Sequence, residues 1–302
     1  MNSPSVVTRM SLCVLGSGSG GNCSALALDD TQGQRRVTLI DLGLSPRQTK
    51  LRLDQVGLSL DQVEDVLITH FDQDHYRHTW TKKARDLGWT IRFHKRHLGW
   101  ARRAGAAYVR SEPFDDAFDF ENGLAEVRPI SFIHDHQGTT GYRIETAAGS
   151  LGYATDLGRT PRTLKDAFAG VNVLAIESNY CPQLQHESPR PDFLKRRIMG
   201  GRGHLSNHEA LDLIRRVDAV SPDLRQVVLL HLSRQCNCPQ RVLDLYAKEA
   251  PDLAPRVMLT SQSEATDWVR VENGAGRPRA RICTRTAAAM QQHLFAGQLD
   301  LD

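Results

Sequence analysis

Paired cysteines are missing from this chain. Six cysteines are scattered at positions 13, 23, 181, 236, 238 and 283, with no Cys-x-x-Cys among them, which excludes a disulfide framework and a structural zinc finger. Cys236 and Cys238 read as ordinary reduced thiols near a site. No apolar stretch approaches the ~20 residues of a membrane span, and the start, MNSPSVVTRMSLCVL, has no basic region followed by a long apolar run. These absences point to a cytoplasmic protein with no membrane partner. An excess of one charge is lacking too: 38 basic residues stand against 35 acidic ones, a formal charge of +3, so nucleic-acid binding has to be argued from local patches. The glycine-rich run Gly16 to Asn22 has no Lys-Ser/Thr of a phosphate-binding P-loop and leads into a strand. It reads as a tight turn under an active site. No internal repeat is evident, and 302 residues with 40% hydrophobic content suffice for one large domain or two ordinary ones.

What the chain does have is a repeated device, an apolar strand that ends in a side chain able to bind metal. Val66, Leu67 and Ile68 run straight into Thr69, His70, Asp72, Asp74 and His75, and a loop leaving a strand can turn such residues inward together. The device recurs at residues 150–155 before Asp156, at 171–176 before Glu177, and at 226–230 before His231. Strands at 124–132 and 141–146 flank His134, Asp135 and His136. Further strands are expected at 8–15, 24–28, 36–41 and 90–93, with a helix at 79–87. A helix also starts at Ser45, where Pro46 at the first helical position and Gln48 make a capping-box signature. Alternating strands and helices imply an α/β fold, in which several strand ends converge on one rim.

Collecting the strand-end residues gives His70, Asp72, Asp74, His75, His134, Asp156 and His231. Four imidazoles and three carboxylates match the donor count of a two-metal hydrolytic centre, which needs about six or seven N/O ligands including a bridging carboxylate. A second stretch, Gly203-His204-Leu205-Ser206-Asn207, places His204 just before a helix that Ser206 and Glu209 cap. Backbone N–H groups there, with Ser206 and Asn207, suit a phosphate, and a neighbouring histidine can protonate a leaving alkoxide. Residues 181–204 form a longer excursion with a short helix at 193–199, read as a flap. From residue 263 the texture turns Gly/Pro-rich and basic.

The runs LGSGSGGN, DLG, THFDQDH, HDHQGTTGY, TDLG, ESN, LKRRI, GHLSN and HLSRQCNCP together resemble the metallo-β-lactamase-fold hydrolases over residues 8–262. Within that family they are most similar to the small YycJ/WalJ-like DNA exonuclease group, related to the tRNA 3′-processing endonucleases. The resemblance implies a four-layer αββα sandwich, with a catalytic domain over 1–262 and a basic extension over 263–302. It implies two divalent ions (zinc, manganese or iron), one held by His70, Asp72 and His134, the other by Asp74, His75 and His231, with Asp156 bridging. Asp72 departs from the family pattern, where histidine is usual; the harder carboxylate favours manganese or iron, or weaker binding, with His136 or His78 as compensating ligands. By spacing from Gly141, His134 takes the ligand slot and His136 stands outside it or at the surface. His204 takes the general-acid place, Asp74 orients the attacking hydroxide, and Ser233, Asn237, Lys195 and Arg196 contact the substrate.

The reading that follows is a metal-dependent phosphodiesterase that cuts single-stranded DNA from the 5′ end by attack of metal-bound hydroxide, with RNA as the neighbouring substrate. Two alternatives stand beside it: a thioester or lactone hydrolase on the same fold, and a metal-poor binding module. Arg277, Arg279, Arg281 and Arg285 would add backbone contacts. Gln298, Leu299, Asp300 and Leu301 resemble a sliding-clamp-binding peptide, beside the plainer reading of a polar tail.

Overall fold

The computed structural model describes residues 5–120, 123–160 and 164–273. The first sheet begins with an antiparallel meander, β1 (Val7–Gly16), β2 (Cys23–Asp30) and β3 (Arg35–Ile40). Parallel strands follow, each reached through a helix, as a parallel step requires. After β3 come α1 (Pro46–Gln55) and β4 (Val63–Ile68), then α2 (Trp80–Leu87) and β5 (Thr90–His94), then α3 (Leu98–Ala104) and β6 (Ser111–Phe114).

The second sheet repeats the plan. An antiparallel set, β7 (Phe118–Phe120), β8 (Ala125–Phe132), β9 (Thr139–Thr146) and β10 (Ser150–Ala154), is followed by α4 (Leu164–Ala167) and the parallel strand β11 (Val173–Glu177). Then come α5 (Pro182–Glu187), α6 (Asp192–Arg197), α7 (Asn207–Asp218), β12 (Gln226–Leu230), α8 (Pro239–Glu249) and β13 (Val257–Leu259). The last strand, β14 (Val269–Val271), crosses back to pair with β1, so each sheet has seven strands.

Strand side chains alternate between faces. In β1, Met10, Leu12 and Val14 enter the core between the sheets, while Cys13 and Leu15 enter the core under the outer helices. Both faces are buried, which is why the strands read as apolar runs and not as alternating patterns. The inter-sheet core joins Leu26, Ile40 and Leu67 to Tyr142, Ile144, Tyr153 and Leu230. Leu53, Trp80, Ala84 and Ala101 cover the first sheet outside, and Leu211, Ile214, Val217, Val242 and Tyr246 cover the second. The result is a four-layer αββα sandwich.

Residues 264–272, read from the sequence as the start of an extension, belong to this packing. Thr266 donates its N–H to the Val14 carbonyl at 2.9 Å, Trp268 Nε1 donates to the Val56 carbonyl at 3.2 Å, and Val269 and Val271 are buried in the inter-sheet core. The arginines at 277, 279, 281 and 285 and the peptide at 298–301 lie outside the described residues. Among the described residues no helix is long and apolar enough to cross a membrane.

Candidate metal centre and its cleft

Parallel neighbours end on the same side, so the residues following β3, β4, β10, β11 and β12 meet at one rim. Three of them, Asp41, Asp156 and His231, have left-handed backbones with φ of 65°, 57° and 56°. Such conformations are uncommon for non-glycine residues and cluster at functional sites. Here they turn the chain sharply as it leaves each strand. The turn after β3 is tight enough that a Cβ on Gly43 would lie 1.7 Å from the Asp74 carbonyl oxygen, which explains the glycine of the Asp-Leu-Gly run.

Three of the histidines are oriented through one ring nitrogen. His75 Nδ1 donates to Asp41 Oδ2 at 2.7 Å, and the Asp41 carboxylate also accepts the Thr69 N–H and hydroxyl. His75 Nε2 is thereby aimed at Asp156 Oδ2, 2.8 Å away. His70 Nδ1 lies 3.0 Å from the Thr69 hydroxyl, and His134 Nδ1 donates to the Gly203 carbonyl at 2.8 Å. The glycine-rich loop does lie under the site: Ser17 Oγ accepts the His231 N–H at 2.8 Å, and Asn22 Nδ2 is 3.0 Å from His75 Nε2.

The free donor atoms converge. His70 Nε2 is 3.6 Å and His134 Nε2 4.0 Å from Asp72 Oδ2, and His134 Nε2 is 3.9 Å from Asp156 Oδ1. Asp74 Oδ2 lies 3.9 Å from His75 Nε2 and 3.7 Å from His231 Nε2. His231 Nδ1 stands 2.9 Å from Asp156 Oδ1 but out of hydrogen-bonding alignment. Three sets of side chains bring their donor atoms within 4.8 Å of one another: His70, Asp72 and His134; His70, His75 and Asp156; and Asp156, Glu177, His204 and His231. Six of the seven expected ligands fall within these sets, and Asp74 stands outside them but within 4 Å of His75 and His231. His70 Nε2 and His231 Nε2 are buried without a hydrogen-bond partner, which is costly for a neutral site and suits nitrogens with a cation to meet. The donor set fits a divalent metal.

Charge follows the same geometry. Burial works against ionising Asp156, but the His231 and His75 imidazoles outweigh it and hold the carboxyl well below its ordinary range. Asp72, with the His70 imidazole beside it and His134 close by, is also held low. Its support comes from Gln137, whose Nε2 donates to Asp72 Oδ1 while its Oε1 accepts the Phe71 N–H. The expected compensation by His136 or His78 is corrected here: both are exposed and stand outside the three donor sets.

His204 reaches the rim from the segment that leads into α7. Its Nδ1 donates to Glu177 Oε1 at 2.6 Å and lies 3.4 Å from Asp156 Oδ1. Burial alone would lower the His204 pKa, but Glu177, with Asp156 and Asp74 behind it, raises it to about 9. Glu177 is fully buried, and its Oε2 accepts the Leu157 and Leu205 N–H groups at 2.7 and 3.2 Å. It locks the β10 and α7 approaches to one carboxylate.

The expected substrate contacts divide. Ser233 lines the cleft before the rim, although its Oγ accepts the Cys236 N–H at 3.1 Å. Ser206 Oγ donates to Glu209 Oε2 and accepts the Glu209 N–H, the expected capping box of α7. Asn207 and Asn237 are buried and bonded to each other and to Ser178, and Asn237 also donates to the Asn179 carbonyl. These two asparagines brace the rim, with donors and acceptors engaged internally. Lys195 donates to the His186 carbonyl, and Arg196 faces a separate recess with His136 and Arg202. Sequence reasoning left Asp41, Gln137 and Glu177 out of the site, although Asp41 and Glu177 stand at strand ends just as the ligands do.

Two seven-stranded sheets, face to face under helices, with histidines and aspartates on the loops of one rim, define a metallohydrolase of the αββα type. The chain belongs to the beta-lactamase superfamily: the family profile described as Beta-lactamase superfamily domain matches residues 35–232, and the fold is that of the metallo-β-lactamases. Exodeoxyribonuclease YycJ of Bacillus anthracis is 26% identical over 230 residues, 74% of this chain and 83% of that protein. Exodeoxyribonuclease WalJ of Streptococcus pneumoniae serotype 2 (strain D39 / NCTC 7466) is 24% identical over 230 residues, 74% and 82% of the two chains. The crystal structure of the metallo-β-lactamase-fold protein YhfI from Bacillus subtilis shares the fold with a TM-score of 0.61 at 15% identity, covering 87% of this chain and 99% of that one.

Proposed function

We propose that this protein is a metal-dependent phosphodiesterase that degrades single-stranded DNA from its 5′ end. The reading rests on seven N/O side chains gathered at one rim beside a histidine held by a buried carboxylate. The names of the YycJ and WalJ relatives supply the substrate class. His70, Asp72 and His134 would hold one divalent ion of zinc, manganese or iron, and Asp74, His75 and His231 a second, with Asp156 between them. Ions so held lower the pKa of a bound water and offset charge developing on a phosphate.

The chain's own residues do the rest. Asp41 and Thr69 fix the rings of His75 and His70, as partners behind a ligand usually do, and the carboxylate of Asp74 at the rim orients the attacking water. With its Nδ1 proton engaged by Glu177, His204 turns Nε2 toward the cleft, where it donates a proton to the departing sugar oxygen. Ser233 lies on the cleft wall, within reach of a phosphate oxygen.

The test is digestion of a 5′-labelled single strand by protein stripped with chelator and then given Mn²⁺. Release of short labelled products only with the metal is expected, together with its loss in Asp156→Asn. Equal rates with chelator and with metal would remove the proposal.

A further inference from the structure

The cleft in front of the rim has a volume of about 310 Å³ and two guanidinium groups on its wall, those of Arg190 and Arg197. They are held very differently. Arg197 is paired with the Asp135 carboxylate through Nε, at 3.0 Å, and through Nη2, so its charge is met within the protein. Arg190 donates Nε and Nη2 to Gln235 Oε1 at 3.2 and 3.0 Å, and Nη1 to Gln185 Oε1 at 3.2 Å. No carboxylate among the described residues forms an ion pair with it.

Neutral amide oxygens fix a guanidinium in place and leave its charge uncompensated, and two of its five N–H groups remain to meet a ligand. The orientation of Gln185 sharpens the point. This residue is fully buried, and with its oxygen turned to Arg190 its own Nε2 has no partner among the described residues. The protein thus tolerates an unmet donor to hold a positive fork at the cleft wall. Forks of this kind recognise phosphate oxygens in pairs.

A second feature lies one helical turn from Arg197. Phe193, at position i relative to Arg197 at i+4, shares its face of α6 and is 67% exposed. The adjoining side of α6 is anchored, with Leu194 packed against the cluster of Tyr180, Ile198 and Cys236. An exposed aromatic ring beside a cationic cleft is the arrangement on which unpaired bases stack.

We propose that Arg190, set by Gln185 and Gln235, docks a backbone phosphate of a single nucleic-acid strand, and that Phe193 stacks on a base of the same strand. This inference rests on the nuclease reading and says which part of the chain holds the strand. Paired bases offer no free face, so the surface selects single strands over duplex.

The test is equilibrium binding of the full chain, kept in chelator so that no cleavage occurs, to a fluorescent twelve-nucleotide single strand over a series of salt concentrations. Arg190→Gln is expected to bind about tenfold more weakly and to lower the slope of log K against log salt by about 0.7, the share of one phosphate contact. Arg190→Lys should keep the slope and lose about threefold in affinity, because a point charge replaces a fork. Phe193→Ala should lose about five- to tenfold with the slope unchanged, and Phe193→Trp should restore it. Wild-type affinity and slope in both Arg190→Gln and Phe193→Ala, from a protein that still cuts single strands with Mn²⁺, would overturn this inference alone. A wild-type protein that neither binds nor cuts the strand would overturn it together with the nuclease reading.

Discussion

At the scale of single residues, the site is organised by carboxylates placed behind the ligands. Asp41 touches His75 directly and His70 through Thr69, so Asp41→Asn should weaken metal binding about ten- to a hundredfold, read by metal titration with little change in secondary structure. His204→Gln should lower kcat about 10²- to 10⁴-fold at unchanged metal content. A different effect is expected at His97, which is buried with Nε2 3.1 Å from the Thr140 hydroxyl. Burial, then the nearby His70 and Arg96, lower its pKa to about 3. The folded state therefore refuses a proton that the unfolded chain accepts near pH 6.5, and His97 favours folding above that pH. That contribution is lost as pH falls from about 6.5 toward 3, at a limiting slope of ~1.4 kcal/mol per pH unit. Denaturant unfolding across this window should give a shallower pH dependence for His97→Gln than for the wild type; equal slopes would contradict the assignment. The side chains that gather at the rim were legible in the sequence because they follow apolar runs, yet Asp41 and Glu177 follow such runs too. Whether a strand-end carboxylate faces a cation or the back of an imidazole depends on the turn it makes, and residue type does not record that.

Elements were legible where local chemistry marks their ends. Ser45 with Gln48 and Ser206 with Glu209 form the capping boxes that their spacing announces, and the buried strands stand out as aliphatic runs. α7 is the element on which His204 depends, since its cap and the Leu205 N–H lie next to Glu177. Ser206→Ala should cost ~1 kcal/mol of stability, read as a shift in the denaturation midpoint. Elements held by distant partners were not legible. β14 has three residues, and only its pairing with β1, about 260 residues earlier in the chain, makes it a strand; Met10 faces Val271 and Leu12 faces Val269. We propose that the folded domain extends through β14. Ending the chain after Gln262 should then cost several kcal/mol, since burial of each large apolar side chain is worth about 1.5–3 kcal/mol, and thermal unfolding would show it. A melting temperature unchanged by the truncation would argue that the domain ends where the composition changes.

For the whole molecule, the two halves repeat one plan of antiparallel meander and parallel strands, and stacking them brings two sets of strand ends to the same rim. His70, Asp72, Asp74 and His75 come from the first sheet, and His134, Asp156 and His231 from the second. Neither of the two proposed metal sites is complete within one half, although one group of donors, Asp156, Glu177, His204 and His231, lies wholly in the second. Metal bound at either proposed site would tie the sheets together, and anything that binds only the folded state raises its stability. The basic residues of the cleft were only partly legible: the Lys-Arg-Arg run at 195–197 stands out in the sequence, whereas Arg190 is isolated there and is held by two glutamines 5 and 45 residues away. The most direct measurement of the central claim is the metal content of the purified protein, wild type against Asp156→Asn, by elemental analysis after extensive dialysis. About two equivalents of transition metal per chain in the wild type, falling by at least one in the variant, is the predicted result. No bound metal in a folded wild type, or equal content in the two proteins, would contradict it.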